Sequence, residues 1–241
     1  MTDRLIALEV LAALRQSPVG DSAVLVGSSG LFGFETSVPA LTEDIDVAVP
    51  EEVVEMHGPA IVEILANQGF EHEAGTATFI CPTRGISFDL LGHGDPERGD
   101  HIGGAGILRV MVFEDISRIV GEKQATMALL DGGQTLTPAG FVATKLLTER
   151  AHKGAKDKIQ ALLVMAEHRN EASFGTELVR LLADVDPVRI EDLRAGAQDA
   201  FLALERDPLF ADAGAEGYAP VLKQAEVGLE RLLALVELRD G

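Results

Sequence analysis

Val24-Leu25-Val26-Gly27-Ser28-Ser29-Gly30, and then Asp44-Ile45-Asp46-Val47-Ala48-Val49, are the stretches on which the fold turns. Ala23 to Val26 is a short apolar run closed by Gly27, the pattern of a buried strand. Directly after it, Leu31 to Glu35 is expected to open a helix, so Gly27-Ser28-Ser29-Gly30 reads as a strand–glycine–helix turn. Such a turn offers backbone N–H groups to an anion, and glycine lets a phosphate approach the chain closely. The Gly-Lys-Ser/Thr ending of a P-loop is missing. Ile45 to Val49 is a second strand, rich in β-branched residues. Residues i and i+2 of a strand share a face, so Asp44 and Asp46 are predicted to present two carboxylates side by side, with Ile45 in the core. Neighbouring carboxylates repel unless a cation lies between them, and Mg²⁺ favours a few carboxylates combined with substrate phosphates.

Working outward, Glu51 to Gln68 has helical spacing, with Val54, Ile61, Ile64 and Leu65 on one side and Gly69 as the stop. Strands are expected at Ala77–Cys81, Ile86–Leu91 and Ile107–Phe113, and Ala125–Leu130 fits either a strand or a helix. Ala77 to Leu91 reads as a hairpin around Pro82-Thr83-Arg84-Gly85, which argues against a Rossmann fold. Asp89 interrupts an apolar strand and shares a face with Ser87, so it is the third candidate carboxylate. From Pro138 onward only helical patterns occur: one beginning at Pro138, then Asp157–His168, Thr176–Asp184, Ile190–Glu205 and Pro220–Leu238. Asp186-Pro187 and Asp207-Pro208 punctuate them. The expectation is an α+β chain: a mixed β-sheet flanked by helices over residues 1–134, then an all-helical part over 135–241, with the boundary near Gly132-Gly133.

Composition bounds the function. The 241 residues are 46% hydrophobic and 24% charged, which is globular composition and enough chain for a real core. A single cysteine, Cys81, excludes a disulfide framework and a cysteine zinc site, and reads as a small buried hydrophobe. The six histidines show no His-Glu-x-x-His spacing. His93 and His101 flank a glycine-rich stretch that follows Asp89 closely enough to reach the site, although a plain flexible loop is the expectation. A formal net charge of −19, no tryptophan and one tyrosine, Tyr218, argue against general nucleic-acid binding. No apolar stretch reaches the ~20 residues that span a bilayer, and the opening segment reads as an amphipathic helix rather than an export signal. A cytoplasmic location is the expectation. Arg150, His152, Lys153 and Lys156 form the one basic cluster, balanced between a solvated helix face and a grip on a triphosphate or acceptor anion.

Taken singly, each acidic or glycine-rich signal has an ordinary structural reading. Together, Val26-Gly27-Ser28-Ser29-Gly30-Leu31-Phe32-Gly33-Phe34-Glu35, Thr42-Glu43-Asp44-Ile45-Asp46 and Ser87-Phe88-Asp89-Leu90-Leu91 resemble the nucleotidyltransferase superfamily of the polymerase-beta type, most closely its AbiEii-like and minimal members. The helix from Leu136-Thr137-Pro138 to Lys145-Leu146, with Arg150, Lys156-Asp157 and Gln160 beyond it, is similar to the helix that follows the sheet there. The resemblance covers residues 20 to 168; the chain departs from it at Ala40-Leu41, where relatives carry an arginine, and at Gln160, where they carry an aspartate. It implies a nucleotidyltransferase-type sheet and an enzyme moving a nucleoside monophosphate from a nucleoside triphosphate to an acceptor hydroxyl on a small molecule, a protein or a tRNA. Asp44, Asp46 and Asp89 would be catalytic and hold one or two Mg²⁺ ions; Gly27, Ser28 and Lys145 would contact the nucleotide. Some relatives act as toxins in toxin–antitoxin pairs, so the resemblance also leaves room for a role of that kind. The alternative is a fold-retaining protein that binds a nucleotide or a protein partner and catalyses nothing.

Overall fold

The computed structural model describes residues 4–38, 45–129, 132–148, 154–206 and 219–240. Asp44, the Thr42-Glu43 pair before it, Ala40-Leu41, Leu130, Arg150, His152, Lys153, Asp207-Pro208 and Tyr218 lie outside the described residues. The chain divides into two compact units, Met1–Thr137 and Pro138–Gly241. It is α+β, with a mixed sheet first and helices after, as the hydrophobic periodicity predicts.

The first unit is built on a nine-stranded sheet. Its strands are β1 (Val24–Val26), β2 (Ile45–Pro50), β3 (Glu71–His72), β4 (Thr78–Cys81), β5 (Ile86–His93), β6 (His101–Ala105), β7 (Leu108–Val112), β8 (Thr126–Ala128) and β9 (Gln134–Leu136). They run in the order β3-β4-β5-β2-β1-β9-β8, with β7 also on β5 and β6 on β7. β2 and β5 pair in parallel, β1 and β2 antiparallel, and β4 and β5 form the expected antiparallel hairpin. β5 is long enough to use two partners in succession on one side: β4 covers Ile86 to Asp89, and β7 takes over at Leu91 and Gly92. Asp89 therefore stands where one neighbour hands over to the next.

Strand alternation decides which face is core. Ile45, Val47 and Val49 of β2 and Phe88 and Leu90 of β5 are sealed into one cluster with α1 (Arg4–Arg15) and α2 (Glu51–Asn67). α1 contributes Ala7, Val10, Leu11 and Leu14; α2 contributes Val54, Ile61 and Leu65 at helical spacing. Phe88 anchors the strand beneath Asp89, stacked at 5.1 Å on Phe79 and met edge-on at 5.1 Å by Phe70. Fully buried aromatic packing of this kind contributes about 3–5 kcal/mol per ring by truncation. The alternation that buries Phe88 turns Asp89 to the opposite face.

Three differences from the sequence reading have plain causes. The segment after β1 is a six-residue 3-10 helix, Gly27–Phe32, and not a helix over Leu31–Glu35. The glycine-rich stretch after His93 is not a loop throughout: His101–Ala105 is a strand, its glycines tolerated because Gly103 and Gly104 leave room for Glu51 and Val54 of α2. A short helix, α3 (Glu114–Gly121), follows β7, where the sequence reading places no element; Glu114 and Asp115 lie in its first turn, where carboxylates suit the macrodipole.

The second unit holds α4 (Pro138–Leu147), α5 (Gly154–Glu167), α6 (Ala172–Leu182), α7 (Pro187–Arg206) and α8 (Ala219–Asp240). Residues Ala139 to Leu147 are all buried, so α4 is a central helix rather than an amphipathic surface one. α5 and α8 meet at backbone distance: a Cβ on Gly228 would lie 1.9 Å from the carbonyl oxygen of Leu162. Among the described residues no helix is long and apolar enough to cross a membrane.

Candidate functional site

Asp46 and Asp89 are register partners on the parallel strands β2 and β5. Val26 pairs with Asp46 on one side, and Thr78 of β4 pairs with Asp89 on the other. A single cross-strand row thus reads Val26, Asp46, Asp89, Thr78. Directly opposed residues in a sheet share a face at a strand spacing of about 4.8 Å, so the two carboxylates are neighbours. Both are half-buried.

Each carboxylate sits in a fixed frame. The Asp46 backbone N–H donates to the Ser29 hydroxyl at 3.0 Å, and Ser29 is fully buried. Gly27 lies against the Asp46 side chain: a Cβ there would stand 2.1 Å from Oδ2, and its φ of +58° is already in the left-handed region. Glycine is required at this position by the aspartate's carboxylate as well as by the backbone. The Thr135 hydroxyl donates to the Gly30 carbonyl at 3.1 Å and ties the 3-10 turn to β9. Thr78 Oγ1 donates to Asp89 Oδ1 at 2.6 Å.

The donor set is hard: carboxylate oxygens with hydroxyls beside them, and neither sulfur nor imidazole. That chemistry fits Mg²⁺ or Mn²⁺ and not a structural zinc. Among the described residues no group of three acidic, histidine or cysteine side chains is placed to hold an ion. The described carboxylates of the candidate site are two, and the third, Asp44, lies outside the described residues.

The remaining predicted contacts fall as follows. Gly27 and Ser28 open the 3-10 turn beside Asp46, and Ser28 is buried. A helix this short carries little macrodipole, so any attraction for an anion there rests on the backbone N–H groups of the turn alone. Lys145 belongs to the helical unit, where its ammonium is buried and ion-paired with Asp157. Lys158 lies beside that pair and donates to the carbonyls of Lys145 and Leu146 at the end of α4. A carboxylate partner is what a buried ammonium requires.

A polar cluster escaped the sequence reading. Glu51, the first residue of α2, is buried, and its carboxylate accepts from Arg98 at 2.8 Å and from His101 Nε2 at 2.9 Å. The Gly99 carbonyl on the other ring nitrogen, and then Glu51, raise the His101 pKa above its ordinary value. His93, by contrast, is pushed down to about 4 by burial, and its Nε2 has no hydrogen-bond partner among the described residues. Cys81 is buried as expected, yet it is not purely apolar in its surroundings: a hydrogen bond with the Thr83 hydroxyl and one from the Arg84 guanidinium lower the thiol pKa. Nothing in the local sequence signals a Glu51–Arg98–His101 cluster, because its members come from the start of α2, the β5–β6 connection and the first residue of β6, about fifty residues apart in sequence.

No family model matches the chain, and no curated protein or solved structure matches it either.

Proposed function

We propose that this chain is a Mg²⁺-dependent nucleotidyltransferase that moves a nucleoside monophosphate from a nucleoside triphosphate to an acceptor hydroxyl. The observation that carries the reading is the register pairing of Asp46 with Asp89 beside the Gly27–Ser29 turn. Two carboxylates set side by side across a sheet cost electrostatic energy. A polyvalent cation removes that cost, and phosphates complete its coordination.

Asp46 and Asp89, together with Asp44, would hold the ion. Bound there, Mg²⁺ supplies charge neutralisation for the phosphates and for the departing pyrophosphate. The backbone N–H groups of the Gly27–Ser29 turn would orient the triphosphate. Asp89 would accept the proton of the acceptor hydroxyl as its oxygen bonds to the α-phosphorus. The bond from that phosphorus to the bridging oxygen breaks, and pyrophosphate leaves with the electron pair. Positioning and electrostatics do most of the work in such a transfer.

Isothermal titration of the folded chain with ATP, CTP, GTP and UTP, with and without Mg²⁺, tests this. One nucleotide is expected to bind only with Mg²⁺, and Asp46→Asn or Asp89→Asn to weaken that binding on the order of tenfold or more. Failure of every nucleotide to bind the folded wild-type chain would overturn the reading, leaving a nucleotidyltransferase-like scaffold that serves a protein partner.

A further inference from the structure

Asp89 is flanked on its two sides by groups of opposite use. Asp46, on β2, is a second carboxylate; Thr78, on β4, is a hydroxyl donor whose oxygen is 2.6 Å from Asp89 Oδ1. We propose that Thr78 is a positioning residue for Asp89: its hydroxyl ties down the oxygen on the β4 side and leaves the other oxygen for a divalent cation on the β2 side. This rests on the reading of Asp46 and Asp89 as a cation site.

Four observations support it. First, the bond is short and made by a neutral donor, so it fixes the carboxylate's rotation without cancelling the charge a cation needs. Second, Thr78 is itself held. Its backbone N–H donates to Thr76 Oγ1 at 3.4 Å, and Thr76 Oγ1 donates to the Glu73 carbonyl at 2.7 Å. Third, the chain just before Thr78 is stitched to two neighbouring strands. Leu90 N–H donates to the Ala77 carbonyl at 3.0 Å, and Arg109 N–H to the Thr76 carbonyl at 3.3 Å. Fourth, Asp89 stands where β4 gives way to β7 along β5. Thr78 is the group in register with Asp89 at that handover. Carboxylates that ligate metals are characteristically held in this way by an outer hydrogen bond.

The test is Mn²⁺ binding, read by electron paramagnetic resonance titration of the whole chain, for wild type, Thr78→Val, Thr78→Ser and Asp89→Asn. Valine keeps the shape and the β-branch that a strand favours and removes only the hydroxyl. Thr78→Val is expected to bind Mn²⁺ about tenfold more weakly while remaining folded, with at most a small fall in Tm, and Thr78→Ser to retain wild-type affinity. If Thr78→Val binds like wild type while Asp89→Asn does not, the positioning role is overturned and the cation site stands. If Asp89→Asn also binds like wild type, the cation site falls and the positioning role with it. A loss of affinity in Thr78→Val that tracks a fall in Tm and is not restored by serine assigns Thr78 a purely structural role and overturns the proposal.

Discussion

The two ends of β2 handle buried negative charge in opposite ways. At its exit, Glu51 is withdrawn from water and answered by a guanidinium and an imidazole, Arg98 and His101. At its entrance, Asp46 stands half-buried beside a second carboxylate, Asp89, whose oxygen receives a hydroxyl from Thr78. The first arrangement is complete within the protein. It stitches the β5–β6 connection to the start of α2 and asks for no ligand. The second sets like charges opposite each other across adjacent strands, a pairing that sheets ordinarily avoid. A cation bound at such a pair offsets the repulsion, and that contrast is the physical basis for looking for function at Asp46 and Asp89 rather than at Glu51.

Substitutions break or sharpen the comparison, and the largest effect belongs to Gly27→Ala. The new methyl would stand 2.1 Å from Asp46 Oδ2 on a residue with φ +58°. The left-handed backbone costs roughly 1–2 kcal/mol, and overpacking adds about 1–3 kcal/mol. Chemical denaturation should register a loss on the order of 3 kcal/mol together with loss of Mn²⁺ binding, because the displaced group is the carboxylate itself. Glu51→Ala comes next, at about 2–3 kcal/mol, the usual cost of losing hydrogen bonds to a charged group. Its Mn²⁺ affinity should equal that of wild type, and a parallel loss of binding would show that the two ends of β2 are not independent.

His101→Gln has a smaller effect that depends on pH. The folded state raises the pKa of His101, so protonation favours folding. The wild-type advantage over His101→Gln is fully present below the unfolded value of about 6.5. It fades as pH rises through the higher folded value. Thermal unfolding measured across that interval checks the sign; an advantage that grows with pH contradicts it. The smallest change is a gain. Asp46→Asn removes like-charge repulsion, so in metal-free buffer it should raise stability by about 0.2–1 kcal/mol. Calorimetry with and without Mn²⁺ reads both sides of the trade: the variant is more stable without the ion and is no longer stabilised by it.

Much of this was legible from residue order. Alternation in Ile45-Asp46-Val47 and Phe88-Asp89-Leu90 names the strands and turns both aspartates away from the core, since a period of two admits no other assignment once one face is apolar. The change to helical spacing after Pro138 marks the second unit for the same kind of reason. Lys145 shows the limit. Its place on a helix was readable, but burial beside Asp157 depends on how α4 and α5 meet. His101 shows it again, since a glycine-rich stretch carries no strand signal until α2 supplies the side chains that fill its gaps.

What the sequence determined by itself is therefore local: which residues form strands, which side of each strand is polar, and that Asp46 and Asp89 share the polar side. Tertiary structure alone decided the rest. Strand order is a matter of non-local pairing, and it brings β5 beside β2 in the one register that sets Asp46 opposite Asp89, then lays Thr78 against Asp89 from the far side. Periodicity fixes the direction of a side chain because it follows from the backbone of a single strand. It does not fix the neighbour, which is chosen only when distant segments bury their apolar faces together.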